Sequence, residues 1–348
     1  MDKKVVFAVA GSGKTKLIID SLDTVKNSYI ITYTVSNHKN LQDRVVRKFG
    51  YLPENIKLYT YFAFIYSFCY KPFCHDIVNT KGINYTTQPS QFFKKETRGH
   101  YIDKGDRLFS SRIAKYLIDF EIIDDVVERL NKYADNIFID EIQDFASNDF
   151  NFILHLAKVD VQLLYVGDFH QHTFDTSRDG STRKNLHADY RLYQKEFEKG
   201  SIIVDTSTLL KSWRCSKTIC DYISKHLKID IESNRTDTGI IKYLTDPAEI
   251  QDVFKDNSII KLFFKMHYNY ECYSKNWGDC KGEDHYSDVC VVLNDTTFKK
   301  YLAGDLHNLA PSTKNKLYVA ITRTKNNLYF ISEKLLKKNE EVSHAASR

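Results

Sequence analysis

Glycine and proline are scarce in this chain, 13 and 5 of 348 residues. That excludes collagen-like repeats and the Pro/Gly-rich low-complexity class, and it turns any local gathering of glycines into a signal. Cysteine is sparse and odd in number, seven in all, so reduced thiols are expected rather than a disulfide framework. No apolar run reaches the ~20 residues of a membrane-spanning helix. The apolar stretch 5–9 is followed by no longer hydrophobic core and no small-residue cleavage site. A cytoplasmic chain without a membrane partner is therefore expected. Neither sign of charge dominates: 50 Lys+Arg against 45 Asp+Glu leave +5, which suits a polyanionic partner without demanding one.

What is present is an ordinary globular composition, 42% hydrophobic and 27% charged, with an aromatic surplus of 23 Tyr and 22 Phe. At roughly 100–200 residues per domain, the length asks for two compact units. Short apolar runs at 5–9, 29–33, 56–59, 137–139, 161–166 and 202–204 alternate with segments of helical spacing at 41–49, 113–120 and 150–156. Alternating strand and helix predicts an α/β fold with parallel sheets flanked by helices. The alternation restarts after 204, with helices at 218–227 and 314–321 and strands at 239–243, 259–264, 289–293 and 328–331. The expected division is 1–204, 205–333 and a charged tail 334–348. Within the first domain, 71–108 shows weak periodicity and seven Lys/Arg, and reads as a loop-rich insertion.

The few glycines gather where chemistry is expected. Ala8-Val9-Ala10-Gly11-Ser12-Gly13-Lys14-Thr15 follows a buried strand and opens a helix. It is a phosphate loop of the GxxxxGK[ST] type, with Ala8 in place of the first glycine. Residues Ala10 to Lys16 would wrap phosphates with backbone N–H groups, Lys14 would reach the β- and γ-phosphates, and Thr15 would ligate magnesium. Ile137-Phe138-Ile139-Asp140-Glu141 is an apolar strand ending in two carboxylates. Alone, such a pair is as often merely solvated. Beside a phosphate loop, Asp140 would hold Mg²⁺ and Glu141 would deprotonate the attacking water.

The order of the remaining segments resembles the UvrD/Rep-type helicases of superfamily one, in particular the short single-chain members lacking large accessory inserts. The carboxylate motif reads Asp140-Glu141-Ile142-Gln143-Asp144, and Ile31-Thr32-Tyr33-Thr34, Thr60-Tyr61-Phe62-Ala63-Phe64, Gly167-Asp168-Phe169-His170-Gln171, Ser212-Trp213-Arg214, Gly278-Asp279-Cys280-Lys281-Gly282 and Tyr318-Val319-Ala320-Ile321-Thr322-Arg323 follow in the family's order. The resemblance implies two RecA-like P-loop domains, ATP and Mg²⁺ as cofactors, and 3′-to-5′ movement on single-stranded or tailed DNA. By that resemblance Gln171 senses the γ-phosphate, Arg214 and Arg323 act as arginine fingers, and Trp213 stacks on the adenine with Lys16 on its other face. Tyr33, Thr60, Phe62, Phe64 and Phe174 would contact DNA. With Trp213 dominating base recognition, ATP and GTP are expected to differ little.

The sequence departs from that family at several points. Phe62 replaces a common histidine, Thr176 stands where a tryptophan often sits, and only 67 residues separate Arg214 from Lys281. These departures keep a second reading open: a DNA-stimulated ATPase switch serving a partner nuclease in a bacterial or phage defence system, without unwinding. The cysteine spacings, including Cys69 to Cys74, match no paired zinc ligand pattern. The basic segment Lys94-Lys95-Glu96-Thr97-Arg98 reads equally as a phosphate track or a solvated loop.

Overall fold

The computed structural model describes residues 2–336. The chain divides into two compact units. The first takes the chain up to Phe7, then Lys14–Gly167 and Phe174–Thr206; the second takes Ala8–Gly13, Asp168–Thr173 and the chain from Ser207 onward. Two short segments of the first half therefore pack with the second. From residue 337 the expected tail lies outside the described residues.

The first unit carries β1 (Lys3–Phe7), β2 (Ser28–Thr32), β3 (Ile56–Thr60), β4 (Gly82–Asn84), β5 (Arg107–Phe109), β6 (Asn136–Asp140), β7 (Gln162–Gly167) and β8 (Ile203–Asp205). Six of these form one sheet in the order β3-β2-β6-β7-β1-β8, parallel throughout. A parallel sheet is covered on both faces, so its strands read as unbroken apolar runs rather than alternating ones. β2 and β6 are buried at every position. One face is sealed by rings: Phe7 packs edge-on against Tyr190 at 5.4 Å and Phe197 at 5.6 Å, which absorbs part of the aromatic surplus.

In the second unit, β9 (Lys211–Ser212) and β10 (Glu232–Ser233) pair apart from the main sheet. That sheet joins β11 (Ile241–Tyr243), β12 (Ile259–Phe263), β13 (Ser274–Asn276), β14 (Asp288–Leu293) and β15 (Leu328–Ser332) in the order β11-β15-β14-β12-β13, again parallel. Period-two alternation sends its residues to two separate cores. Ile260, Leu262, Val289, Val291 and Phe330 pack with the helices Lys217–Leu227 and Pro311–Ile321. Ile259, Phe263, Cys290, Val292 and Ile331 pack with Ile250 and Val253 of the helix Pro247–Lys255.

The fold class is as the sequence implied, with strand ends moved by one or two residues. Helices that escaped the periodicity include Ile123–Tyr133, Tyr190–Lys199, Pro247–Lys255 and Asp295–Leu302. Each is short and heavily charged, and tertiary burial of one narrow stripe decides it. The stretch 71–108 is more ordered than a loop. A π-helix over Phe64–Tyr70 runs into the helix Lys71–Val78, with the Lys71 N–H donating five residues back to the Tyr66 carbonyl. Pro72 has no N–H to give, and its position in the first turn of Lys71–Val78 avoids the loss. β4 and β5 then pair in parallel.

Candidate functional site

β1 ends at Phe7, and the helix Lys14–Asp20 begins six residues after Ala8. Between them Gly11 and Gly13 have φ of 72° and 100°, in the region where a side chain is strained. Gly11 is also crowded: a Cβ there would stand 2.6 Å from the Arg214 Cβ and 2.9 Å from the Ser212 Oγ. Ser12 closes the turn on itself, its N–H and its hydroxyl donating to the Val9 carbonyl at 3.3 and 2.8 Å. Among the described residues, no acceptor meets the N–H groups of Gly11, Gly13, Lys14 and Thr15. A row of such donors at a helix start fits a phosphate chain. Lys14 and Thr15 are half-buried beside it, whereas Lys16 is exposed and pairs with Asp20 on its own helix at 2.5 Å.

The carboxylates stand on the same edge. Asp140 is registered with Val166 on β7, and Val166 with Val6 on β1, so Asp140 lies two strand spacings, about 10 Å, from the strand that launches the loop. Its Oδ1 accepts from the Glu141 N–H at 2.9 Å. Glu141 sits at φ 54°, a conformation uncommon outside glycine and typical of functional turns. The Gln143 amide donates to its carboxylate. Room for this turn comes from Gly167, where any Cβ would overlap the Gln143 Oε1 and the Ile142 side chain.

Inside the second unit, two guanidinium groups share one acid. Arg214 pairs with Asp284, and Arg323 approaches the same carboxylate at 3.7 Å. Arg214 also donates to the Thr322 carbonyl at 3.2 Å, and Arg323 to the Glu283 carbonyl at 2.9 Å and the Val319 carbonyl at 3.2 Å. Arg323 is only 1% exposed. Desolvation, with Arg323 nearby, depresses the Arg214 pKa; a partly unscreened positive pair remains attractive to a phosphoryl group. Trp213 is 67% exposed, and its N–H donates to the Gly11 carbonyl at 2.9 Å. Glu283 is engaged elsewhere, by Lys275 and the Tyr286 hydroxyl.

Three residues that sequence reasoning gave no role complete this arrangement. The Tyr318 hydroxyl accepts from the Ala10 N–H at 2.9 Å and donates to Asp168 at 3.1 Å. Asp284 sets both arginines. Ser212 accepts from the N–H groups of Arg214 and Cys215 at 3.2 and 3.1 Å. Tyr318 reads as a core position of its helix, and no local pattern marks its partner 308 residues away. Gln171 is buried at 4% exposure on a short turn. Burial pushes the neighbouring His170 down to about 3, so its imidazole stays neutral and takes no acid–base part near pH 7.

The residues expected to face DNA separate into two groups. Tyr33 and Phe62 are half-buried neighbours with ring centres 6.3 Å apart, and Phe174 is 40% exposed. Thr60 caps the following turn, its hydroxyl accepting from the Ala63 N–H at 3.4 Å. Phe64 is a correction: it is fully buried, 5.4 Å from Phe68 in a stacked pair and 5.8 Å from Tyr59, and it belongs to the core. Two residues beyond Phe62 the helical rise turns its ring inward. Beneath this face lies Asp149, fully buried. It accepts from the Tyr61 hydroxyl at 2.7 Å and the Ser177 hydroxyl at 2.5 Å, tying the segment that carries Phe62 to the one that follows Phe174. Burial raises its carboxyl to about 6. No disulfide joins the seven cysteines, and no helix among the described residues is long and apolar enough to cross a membrane.

No known protein family and no curated protein matches the chain. Solved structures do. The PRRSV helicase aligns with 95% of this chain and 52% of its own length at 13% identity and a TM-score of 0.47. Arterivirus nonstructural protein 10, a helicase solved in complex with DNA, aligns with 97% of this chain and 63% of its own at 13% identity and a TM-score of 0.48. The same protein in a second crystal structure gives 14% identity over 96% of this chain and 61% of its own, with a TM-score of 0.47. The chain thus spans between half and two thirds of the length of these neighbours, which are arterivirus helicases rather than UvrD/Rep proteins. Likeness this shallow carries no functional weight, and the reading that follows rests on the residues above.

Proposed function

We propose that this chain is an ATP-hydrolysing motor acting on single-stranded or tailed DNA, of the superfamily-one helicase kind. The observation that carries the reading is one sheet edge holding both a phosphate loop with four unmatched N–H groups and, two strands away, the Asp140–Glu141 pair. The backbone N–H groups of Gly11, Gly13, Lys14 and Thr15, with the Lys14 side chain, bind the phosphates of ATP. Thr15 and Asp140 are the residues suited to hold Mg²⁺, which when bound neutralises charge on the phosphates. Glu141 orients and deprotonates water, and the Gln143 amide, which donates to its carboxylate, holds that side chain at the edge. Arg214 and Arg323, held as a pair by Asp284, supply positive charge to the transferred phosphoryl group, and Gln171 reports its presence. Tyr33, Phe62 and Phe174 stack on bases, which suits a strand of any sequence because every base has a π-face. The UvrD-like assignment and the 3′-to-5′ direction come with the sequence resemblance alone, and the cytoplasmic setting with the short apolar runs of the sequence.

The test pairs DNA-stimulated ATP hydrolysis with unwinding of a tailed duplex. Stimulation with unwinding is expected for the motor. Stimulation without unwinding at excess enzyme marks the ATPase switch with a nuclease partner instead. No stimulation by any single strand sinks both readings.

A further inference from the structure

Tyr85 lies in the insertion, outside every motif that the sequence singles out, yet its ring meets Phe62 edge-on at 5.2 Å. The rings of Tyr33, Phe62 and Tyr85 therefore form one continuous row, with centre-to-centre steps of 6.3 and 5.2 Å. Tyr33 and Phe62 are half-buried, and Tyr85 at the end of the row is 60% exposed. A large ring left that open on an ordered segment asks for a reason.

The segment is held firmly. Asn84, the last residue of β4, is 2% exposed. Its side-chain carbonyl accepts from the N–H groups of Thr86 and Thr87 at 3.0 and 3.1 Å, and its amide donates to the Thr87 hydroxyl and to Asp103, each at 2.6 Å. Asp103 in turn accepts from the Gly105 and Arg107 N–H groups at 2.8 and 2.9 Å, and these hydrogen bonds hold its carboxyl down at about 2 despite the opposing cost of desolvation. A polar network anchored on buried Asn84 thus fixes the backbone around Tyr85. Ordering an exposed ring in advance lowers the entropy lost when something stacks on it. The surrounding insertion, 71–108, carries seven Lys/Arg against four Asp/Glu, a balance that favours a polyanion.

We propose that Tyr85 is a base-stacking residue that extends the Tyr33–Phe62 row, and that the insertion is thereby part of the path for single-stranded nucleic acid. The inference rests on the nucleic-acid reading of Tyr33 and Phe62 above, and it adds a contact from a segment that reading does not use. Stacking in this geometry needs a ring face and not the phenol hydroxyl.

The experiment compares Tyr85→Ala, Tyr85→Leu and Tyr85→Phe with the unmodified chain for binding a fluorescein-labelled oligothymidine of about 15 nucleotides, a length that spans one ordinary single-strand site. Tyr85→Ala should weaken binding about 5- to 100-fold, in line with the loss of one aromatic–base stack. Tyr85→Leu, which keeps apolar contact with Phe62, should weaken it nearly as much, and Tyr85→Phe should match the unmodified chain. Thermal midpoints of the three variants separate misfolding from lost contact, and an oligonucleotide carrying 5-iodouracil should crosslink on irradiation to the peptide that contains Tyr85. Binding by Tyr85→Leu equal to the unmodified chain, or crosslinks that spare that peptide, overturns this assignment alone. An unmodified chain that binds no strand overturns the nucleic-acid reading and this inference with it.

Discussion

Two units of the same parallel α/β kind gather opposite charges where the chemistry is expected. The first ends at its carboxyl edge on acids, Asp140 as the last residue of β6 and Glu141 after it. The second unit gathers Arg214 and Arg323 around the one carboxylate of Asp284. Architecture alone therefore does not assign function. A parallel sheet offers an edge, but Arg214 follows a strand outside the main sheet of the second unit and Arg323 follows a helix, so the residues that close each element, rather than the sheet, set the local charge. Both units pack rings against their sheets, Phe7 with Tyr190 and Phe197 in the first and Phe330 with Tyr222 and Tyr301 in the second, where the strands also alternate between two cores.

The largest effect should come from the acidic edge. Glu141→Gln keeps the shape and the backbone turn but removes the base, so ATP turnover should fall by a factor of about 10²–10⁴ while nucleotide binding persists. Phosphate release measured beside fluorescent-nucleotide titration checks this, and normal turnover would falsify the assignment of Glu141. Lys14→Ala should instead abolish binding of the nucleotide itself.

Next in size is a pH effect confined to the first unit. The Asp149 carboxyl ionises near 6 in the fold against 3.8 for an ordinary one, so the folded state holds this proton more tightly than the unfolded chain. Its contribution is complete below about pH 4 and is lost as the pH rises through 6, a change of about 3 kcal/mol. Asp149→Asn cannot titrate and still offers an acceptor to Tyr61. The stability difference between the two proteins, read from urea midpoints at pH 4 and pH 8, should shift in the variant's favour by that order. Parallel curves across this range would show that Asp149 is not the titrating group.

The basic cluster should respond more gently. Asp284→Asn removes the shared counter-charge that holds both guanidinium groups, and their displacement should lower turnover by up to about a hundredfold. Glu283→Gln, one residue earlier but bound to Lys275 and Tyr286, should leave turnover within about twofold of the unmodified chain, the ordinary reach of a surface ion pair. Equal losses in both would mean that Asp284 has no special hold on the arginines. Smallest of all, Tyr318→Phe deletes a buried hydroxyl that serves Ala10 and Asp168. It should destabilise the fold by about 1–3 kcal/mol, seen as a lowered thermal midpoint with the nucleotide absent.

The alternation of short apolar runs made the α/β class legible, because a strand buried on both faces leaves a mark within five or six residues. The same marks failed for helices such as Tyr190–Lys199, where only Tyr193 and Phe197 are buried and the charged remainder hides the stripe. Lys14, Thr15, Asp140 and Glu141 stand where the sequence pattern places them, at the start of a helix or the end of a strand. Phe64 was misread because its motif does not say which ring of an aromatic run points inward.

By itself the sequence determined the local pieces: a glycine turn between strand and helix, a pair of acids closing a strand, and the arginines within their short motifs. Those depend on hydrogen bonds and sterics among near neighbours. Tertiary structure alone decided that Asp284 would join Arg214, 70 residues away, that Tyr318 would reach Ala10 across 308 residues, and that Tyr85 would complete a row of rings begun by Tyr33. Such pairings arise from close packing of distant segments, and nothing in the residues on either side of each partner encodes them.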